Sequence, residues 1–248
     1  MSTLYNELAT VYEAMYKTFI DYEEEYNYYS SILKKYKKQQ VLEIGCGTGN
    51  LAILFQKNGF DYLGLDASKE MIQLGKTKAP TCDFLEGDMR NFELNKQVQS
   101  AIITARTVSY LYTNKDVNAA FSCICKNLQV GGLLCFDFID ANQFIPPIVN
   151  GKEVIHTAIY QHTEYIRKSF WQARLVDGMD FTWHSIYYKK ENGQLMEIGQ
   201  DDSIIRTFTM NEIALFLSIN GFIIREFLER ASYAFPTYVV VAEKINTR

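Results

Sequence analysis

Cysteine, histidine and long apolar runs are scarce in this sequence. Its five cysteines are an odd number and include no Cys-x-x-Cys pair, so they indicate reduced core thiols instead of a disulfide or zinc framework. No cluster of His, Asp and Glu has the spacing of metal ligands, which leaves a metal site without support. The sequence also has no basic leader and no transmembrane stretch, and we therefore expect a cytoplasmic protein without membrane contact.

Basic residues are also too few for a typical binder of duplex nucleic acid. The net charge is −4, whereas such binders are more often basic because they neutralise phosphates. Hydrophobic residues make up 48% of the 248 residues, which is enough for a large core and suits one α/β domain with an insertion. The composition therefore favours work on small molecules and predicts no nucleic-acid partner.

The stretch Val41–Asn50 organises the chain: an apolar strand turns on three glycines and opens a helix that ends at Asn58-Gly59. A dinucleotide fingerprint requires Gly-x-Gly-x-x-Gly, but here Gly49 comes one place early and Asn50 stands at the required position. No Gly-Lys-Ser/Thr follows, which excludes a phosphate loop. Because glycine has no Cβ, a ligand can approach bare backbone at this turn, next to the unpaired amides of a helix start.

Short apolar strands alternate with helical patterns after the glycine turn. Nearly continuous apolar strands of this kind imply a parallel sheet that is covered on both faces. Ser68 and Asn114 are predicted to cap the helices that follow strands 2 and 4. The predicted strands after the turn span residues 61–66, 82–86, 101–104 and 133–138.

The pattern changes between residues 154 and 208, where the helical period gives way to four extended runs. Turn signals at Asp177-Gly178 and Asn192-Gly193 predict antiparallel hairpins in this insertion. Thr209–Glu212 then has the pattern of a helix capping box, and two last strands follow that helix.

The pattern acid-x-Gly-x-Gly-x-Gly, which begins at Glu43, resembles motif I of the class I S-adenosylmethionine-dependent methyltransferases. The resemblance covers nearly the whole chain and implies S-adenosyl-L-methionine as cofactor and S-adenosyl-L-homocysteine as product. It implies an α/β fold with a Rossmann-like, seven-stranded, mostly parallel sheet, helices on both faces, an antiparallel last strand and an antiparallel β insertion as a cap. It also implies that Glu43, Gly45, Cys46, Gly47 and Gly49 bind the cofactor.

Residues at the ends of the next two strands extend the predicted cofactor site, because ligands bind at the carboxyl ends of strands in an open parallel sheet. Asp66 ends strand 2, where an acid can accept hydrogen bonds from both ribose hydroxyls. Ala67 and Met71 are similar to the family's second motif. After strand 3, the resemblance implies that Asp88 faces the adenine amino group and that the amide of Met89 faces a ring nitrogen.

Strand 4 leads into a segment that would border the methionine part of the cofactor and the substrate. Ala105 and Arg106 are predicted to contact the cofactor there, and Tyr110 the substrate. A lone arginine after an apolar strand needs a partner, and for Arg106 either a structural carboxylate or a substrate anion fits.

The N-terminal segment is predicted as a helical lid in which Tyr12 and Tyr16 close over cofactor and substrate. A helix that only packs on the main domain explains the same apolar stripe of Leu4, Leu8 and neighbouring positions. The basic cluster Lys34–Lys38 is interpreted as a solvated helix end. The predicted parts are the lid at 1–38, the methyltransferase core at 39–145 and 209–248, and the substrate cap at 146–208.

The chain as a whole resembles a narrower group of small-molecule methyltransferases, which includes nucleotide-linked aminosugar N,N-dimethyltransferases. The shared features are a tyrosine-rich N-terminal segment, Gly-Asp-Met-Arg after strand 3, a β insertion after strand 5 and a Gly-Phe hairpin at the end. The resemblance implies in-line transfer of a methyl group to a small-molecule acceptor, with nitrogen expected over oxygen.

Several alternatives stay open at this stage. An oxygen acceptor would need a general base, for which His184 is the leading candidate ahead of His156 and His162. An O- or carboxyl-methyltransferase, a peptide methyltransferase and a non-catalytic S-adenosylmethionine-binding protein are the competing functions. Asn50 argues against a nicotinamide oxidoreductase, and the absence of Asn/Asp-Pro-Pro-aromatic after strand 4 argues against methylation of nucleic-acid bases. Aromatic residues of the insertion leave a homodimer contact open.

Overall fold

The computed structural model describes residues 9–18, 20–149, 153–174, 179–230 and 237–246, with the backbone alone at 9–12 and 146–149. Its helices are α1 Ala9–Tyr16, α2 Tyr22–Lys35, α3 Ala52–Lys57, α4 Lys69–Lys78, α5 Asn114–Asn127, α6 Ala141–Val149 and α7 Met210–Ile219, with a short 3₁₀ helix at Thr107–Tyr110. Its strands are β1 Gln40–Ile44, β2 Asp61–Asp66, β3 Asp83–Glu86, β4 Val98–Ile103, β5 Leu128–Phe138, β6 Val154–Tyr160, β7 Thr163–Ala173, β8 Asp180–Glu191, β9 Gln194–Arg206, β10 Phe222–Arg230 and β11 Thr237–Lys244.

The main sheet has seven strands in the order β10-β11-β5-β4-β1-β2-β3. The pairs among β1 to β5 are parallel, whereas β11 runs antiparallel to both of its neighbours. The predicted seven-stranded, mostly parallel sheet is confirmed. The chain proceeds from β1 to β2 in one direction and places β4 on the other side of β1, so the sheet has its switch point at the carboxyl ends of β1 and β4.

Two apolar clusters cover the two faces of this sheet. On one face α5 and α7 pack through Phe121 and Phe216, and on the other α2 and α3 pack through Tyr29 and Phe55. Helices on both faces are therefore confirmed. Burial on both faces also explains why the sequences of β1, β4 and β5 are apolar without alternation. Leu4, Tyr5 and Leu8, part of the predicted lid, lie outside the described residues.

The helix starts follow local capping chemistry. The hydroxyl of Ser68 accepts the N–H of Met71, which confirms that Ser68 caps α4, and Thr209 caps α7 in the predicted capping box. Asn114, in contrast, is the first residue of α5 and not its cap. Thr113 holds that position, because its hydroxyl accepts the N–H of Asp116. Within the described ranges, none of the helices has both the length and the hydropathy to cross a bilayer.

The insertion forms a separate four-stranded antiparallel sheet in the order β6-β7-β8-β9. The predicted turn at Asn192-Gly193 connects β8 and β9 with positive φ at both residues, whereas Asp177-Gly178 lies outside the described residues. Aromatic side chains on the inner face of this sheet, Trp171 and Phe181, pack against Phe144 of α6. The helix α6 runs across the predicted boundary at residue 146, so the insertion is anchored to the core by a helix that the sequence did not predict.

Candidate functional site

The glycine turn leaves β1 at the switch point of the sheet. Gly45, Gly47 and Gly49 all have positive φ, a backbone conformation that side chains disfavour. The N–H groups of Gly45 and Cys46 donate to the carbonyl oxygen of Leu65 at 2.7 and 3.0 Å, which ties the turn to the end of β2. These contacts explain how three closely spaced glycines bend the chain sharply enough to leave its backbone open to a ligand.

Asp66, the last residue of β2, is fixed by backbone amides. Its carboxylate accepts the N–H of Gly47 and the N–H of Ser68, each at 2.8 Å. Burial raises the pKa of Asp66, while these amide hydrogen bonds oppose the rise. The carboxylate is thus held rigidly beside the glycine turn with lone pairs left over for a ligand. The predicted contact to the ribose hydroxyls stays a prediction.

A cavity of about 720 Å³ opens at this edge of the main sheet. Its walls come from the ends of β1 to β4, from α1 and α2, and from β9 of the second sheet. Of the predicted site residues, the lining includes Tyr16, Glu43, Gly45, Cys46, Gly47, Asp66, Ala67, Met71, Asp88, Met89, Ala105 and Tyr110. Most of the site residues predicted from the sequence therefore line the same cavity. The side chain of Tyr12 lies outside the described residues.

Three predicted site residues lie outside the lining, and Gly49 is the first. A Cβ added at Gly49 would come within 2.7 Å of the Phe84 ring, so this glycine is needed for close packing of the turn against β3. A Cβ at Gly47, in contrast, would meet no heavy atom within 4 Å, because that position faces the cavity. The two glycines of the same motif therefore have different roles.

Arg106 is buried behind the cavity wall and has a structural carboxylate beside it. Its backbone N–H donates to Oδ1 of Asp137 on β5 at 2.8 Å. Burial raises the pKa of Asp137 to about 6, and the charge of Arg106 opposes that rise. Nearby, Arg230 makes two hydrogen bonds with Glu25, at 3.0 and 2.8 Å. Of the two partners considered for Arg106, the structural carboxylate is the one that the structure places next to it.

His156 and His184 lie in strands of the second sheet and His162 in one of its turns, and none of the three is in the cavity lining. His184 lies on the face of β8 opposite Trp183, and its Nδ1 is 2.5 Å from Oδ1 of Asp202, which does line the cavity. The ring of His156 lies 3.0 Å from a guanidinium nitrogen of Arg167, and burial together with that charge lowers its pKa to about 4. His162 occupies the turn between β6 and β7.

Glu43 and Asp88 are two acidic lining residues whose charge is altered by their surroundings. Glu43 is buried and accepts the hydroxyl hydrogen of Tyr62 at 2.6 Å, and burial raises the pKa of Glu43 to about 8. Its carboxyl group is therefore largely protonated at neutral pH. Asp88 accepts from the Nε and Nη2 of Arg90, which holds the pKa of Asp88 below its usual range.

The lining also contains residues that were not predicted as site residues. Some of them could have been inferred from local sequence, because Thr48 and Asn50 lie in the glycine motif and others closely follow β2, β3 or β4. The positions of Glu25 and Asp202, in contrast, depend on long-range packing. The additional polar and aromatic lining residues are Tyr22, Glu25, Thr48, Asn50, Ser68, Arg90, Thr104, Thr107, Tyr112, Asp202 and Ser203.

Residues 41–132, which include the glycine turn, match the model of a family described as a methyltransferase domain. An uncharacterized methyltransferase of Bacillus cereus is 31% identical over 58% of this chain and 71% of that protein. A dTDP-3-amino-3,4,6-trideoxy-alpha-D-glucopyranose N,N-dimethyltransferase of Streptomyces venezuelae is 30% identical over 38% of this chain and 40% of that protein. The aligned region spans between 40% and 74% of the length of the first three curated relatives.

Solved structures share the architecture over almost the whole chain. CalS10 of Micromonospora echinaspora, an amino pentose methyltransferase solved with S-adenosylmethionine, is 20% identical and covers 94% of this chain and 96% of its own. The TM-score of that match is 0.77. At this level of identity the likeness concerns the fold alone.

Proposed function

The chain belongs to the class I S-adenosylmethionine-dependent methyltransferases, and on that premise we propose that it transfers a methyl group to an amine nitrogen of a small-molecule acceptor. Its cofactor is S-adenosyl-L-methionine. The names of an aminosugar N,N-dimethyltransferase and an amino pentose methyltransferase among the similar proteins support the choice of nitrogen. The observation that carries the proposal is that the cavity lining includes two carboxylates without a lysine or arginine partner among the described residues, Asp66 beside the glycine turn and Asp202 of the second sheet.

The charges of the cavity favour a ligand that carries positive charge. Its charged lining consists of Glu25, Glu43, Asp66, Asp88 and Asp202 against Arg90. Glu43 is largely neutral, Glu25 is paired with Arg230, and Arg90 neutralises Asp88. Among the described lining residues, Asp66 on the main sheet, held by backbone amides, and Asp202 on the second sheet, which contacts His184 and is 70% exposed, are the carboxylates without a lysine or arginine partner. Carboxylates on two walls raise the local concentration of cations, which suits both a sulfonium cofactor and an amine acceptor.

The residues of the chain align the two reactants and exclude water. S-adenosylmethionine, when bound, supplies an activated methyl group on a positively charged sulfur. The carboxylate of Asp202 would accept an N–H of the acceptor and so direct the nitrogen lone pair, with the Ser203 hydroxyl as a second polar contact. Correct alignment of two reactants lowers a barrier by about 7 kcal/mol or more in favourable systems. The amine must be neutral when it attacks, so an acceptor that arrives as an ammonium ion first releases one proton to solvent or to the carboxylate of Asp202.

His184 would act on the acceptor through Asp202, because its Nδ1 contacts that carboxylate and its ring is not part of the lining. Its role as a base for an oxygen acceptor stays a prediction. The same holds for the contacts of Tyr16 and Tyr110 with the substrate, for the second sheet as a substrate cap, for a homodimer and for a cytoplasmic location.

A matched pair of acceptors tests the choice of nitrogen. One is a nucleotide-linked sugar that carries an amino group, and the other is the same sugar with a hydroxyl in that place. After incubation with S-adenosylmethionine, mass spectrometry should show one or two added methyl groups on the amine alone. Transfer to the hydroxyl or to a peptide would contradict the proposal. Binding of S-adenosylhomocysteine without turnover on any amine would favour a non-catalytic protein.

Two variants of β9 test the proposed role of Asp202. Asp202→Asn should raise the KM for the amine about tenfold, because a charge-assisted hydrogen bond is lost, and should leave the affinity for S-adenosylhomocysteine unchanged. Glu197→Gln, an exposed change on the same strand, serves as the control. Equal KM values for the two variants would contradict the assignment.

A further inference from the structure

Lys78, the last residue of α4, joins two parts of the cofactor cavity. Its Nζ donates to Oε1 of Glu13 on α1 at 2.7 Å. It also donates to Oγ1 of Thr48 at 2.9 Å and to Oδ1 of Asn50 at 2.8 Å, both in the glycine turn. All three donors of the ammonium group are therefore in use. A single cation links α1 to the loop that approaches the cofactor.

Asn50 makes further contacts besides the one with Lys78. Its amide nitrogen lies 3.3 Å from Oγ1 of Thr48, and its side chain also lies beside the hydroxyl of Tyr22 at the start of α2. Thr48, Asn50 and Tyr22 all line the cavity. A glycine at position 50, as in a dinucleotide fingerprint, would remove both the oxygen that accepts from Lys78 and the contact with Tyr22.

The helix α1 connects the link to the opposite wall of the cavity. Tyr16, one helical turn after Glu13, lines the cavity, and the guanidinium of Arg167 on β7 lies over its ring at 5.7 Å. Met15 packs on the same sheet. The helix thus spans from the glycine turn to the second sheet, and moving it outward would require the contact between Lys78 and Glu13 to break.

The ion pair of Lys78 and Glu13 is partly shielded from solvent. The side chains are 27% and 14% exposed, and Glu13 has a second cation, Lys17, one turn along α1. Burial lowers the pKa of Lys78, whereas the contact with Glu13 opposes that change. Ion pairs in such surroundings are screened less by solvent and salt than fully exposed pairs.

We propose that Lys78 is a positioning residue that fastens α1 to the glycine turn through Glu13 and Asn50 and thereby slows the release of the cofactor. The inference concerns cofactor retention, so it does not depend on which acceptor is methylated. Its basis is the geometry of one ammonium group that hydrogen-bonds both α1 and the glycine turn. The acceptor site contributes nothing to this link.

The test uses the product S-adenosylhomocysteine as the probe and its dissociation rate as the readout, measured by stopped-flow displacement. Lys78→Met removes all three hydrogen bonds of Lys78 and should speed dissociation at least about tenfold, since the loss of the charge-assisted bond to Glu13 alone corresponds to a factor of about ten. Lys78→Arg should recover part of the loss. Lys76→Met, an exposed lysine on the same helix without an ion pair among the described residues, is the matched control.

Hydrogen exchange separates fastening from general destabilisation. Amides of α1 should exchange faster in Lys78→Met, whereas amides of α5 should not change. A dissociation rate of Lys78→Met no faster than that of Lys76→Met would overturn the proposal. If Lys78→Met fails to fold, Glu13→Ala decides, since it removes the acceptor on α1 and leaves the bonds of Lys78 to the turn in place. Release from Glu13→Ala at the wild-type rate would then overturn it.

Discussion

Replacement of Gly47 by alanine should weaken cofactor binding while the fold stays largely intact. A Cβ at this position meets no heavy atom of the protein within 4 Å, so the new methyl group causes no internal clash. The φ of +53° makes an alanine there cost roughly 1–2 kcal/mol of stability. The methyl group would project into the cavity, at the place where the predicted ligand approaches bare backbone, and would lower its affinity at least about tenfold.

Gly49→Ala is the matched control, because it changes a glycine of the same turn with similar φ. Its Cβ would lie 2.7 Å from Cζ of Phe84, and overpacking of this kind costs about 1–3 kcal/mol in addition to the cost of positive φ. Gly49 is not part of the cavity lining. We therefore expect the larger loss of stability in Gly49→Ala and the larger loss of affinity in Gly47→Ala.

Two measurements on each variant separate these effects. Denaturant unfolding without ligand gives the free energy of unfolding, and calorimetric titration with S-adenosylhomocysteine, at a temperature where both variants are folded, gives the affinity. Wild-type affinity in Gly47→Ala would refute the position assigned to the cofactor. A greater loss of affinity in Gly49→Ala would refute the distinction between the two glycines.

Three further predictions concern buried acids. Asp66→Ala should sharply lower the affinity for S-adenosylhomocysteine while circular dichroism shows a folded chain, and near-normal affinity would contradict the ribose contact. Glu43 has a pKa of about 8 in the fold against 4.5 as a free group, so the folded state holds a proton that the unfolded state has lost. The free energy of unfolding should therefore fall as the pH rises from 4.5 to about 8, by at most about 1.4 kcal/mol per pH unit. Glu43→Gln should flatten this pH dependence, and equal slopes in the variant and the wild-type chain would contradict the raised pKa of Glu43. Arg230→Met should cost about 3–5 kcal/mol in denaturant unfolding, because it leaves Glu25 buried and unpaired. The double variant with Glu25→Gln should recover part of that loss, whereas simple addition of the two losses would rule out the pairing.

The parts of the site that the sequence predicted are those that follow a strand directly. Gly45, Gly47, Asp66 and Asp88 come at or just after the ends of β1, β2 and β3, and the carboxyl ends of parallel strands meet at one edge of a sheet. Local sequence therefore decides their place once the strands are assigned. Gly49 shows the limit of this reasoning, since its motif position was predicted but its packing against Phe84 depends on β3.

Contacts between distant residues could not be predicted in the same way. Lys78 and Glu13 are 65 positions apart, and no local pattern pairs them. Asp202 reaches the cavity because of the register between β8 and β9, which sets it opposite His184. Alternation along β8 did predict that His184 and Trp183 lie on opposite faces, but it cannot say which face is turned toward the cavity.

Calorimetric titration with S-adenosylhomocysteine, with NAD as the control ligand, tests the central claim most directly. The account predicts tight binding of S-adenosylhomocysteine to the wild-type chain and no binding of NAD, because Asn50 replaces the glycine that a dinucleotide requires. Binding of NAD in place of S-adenosylhomocysteine would contradict the assignment of the glycine turn and, with it, the assignment of the cavity.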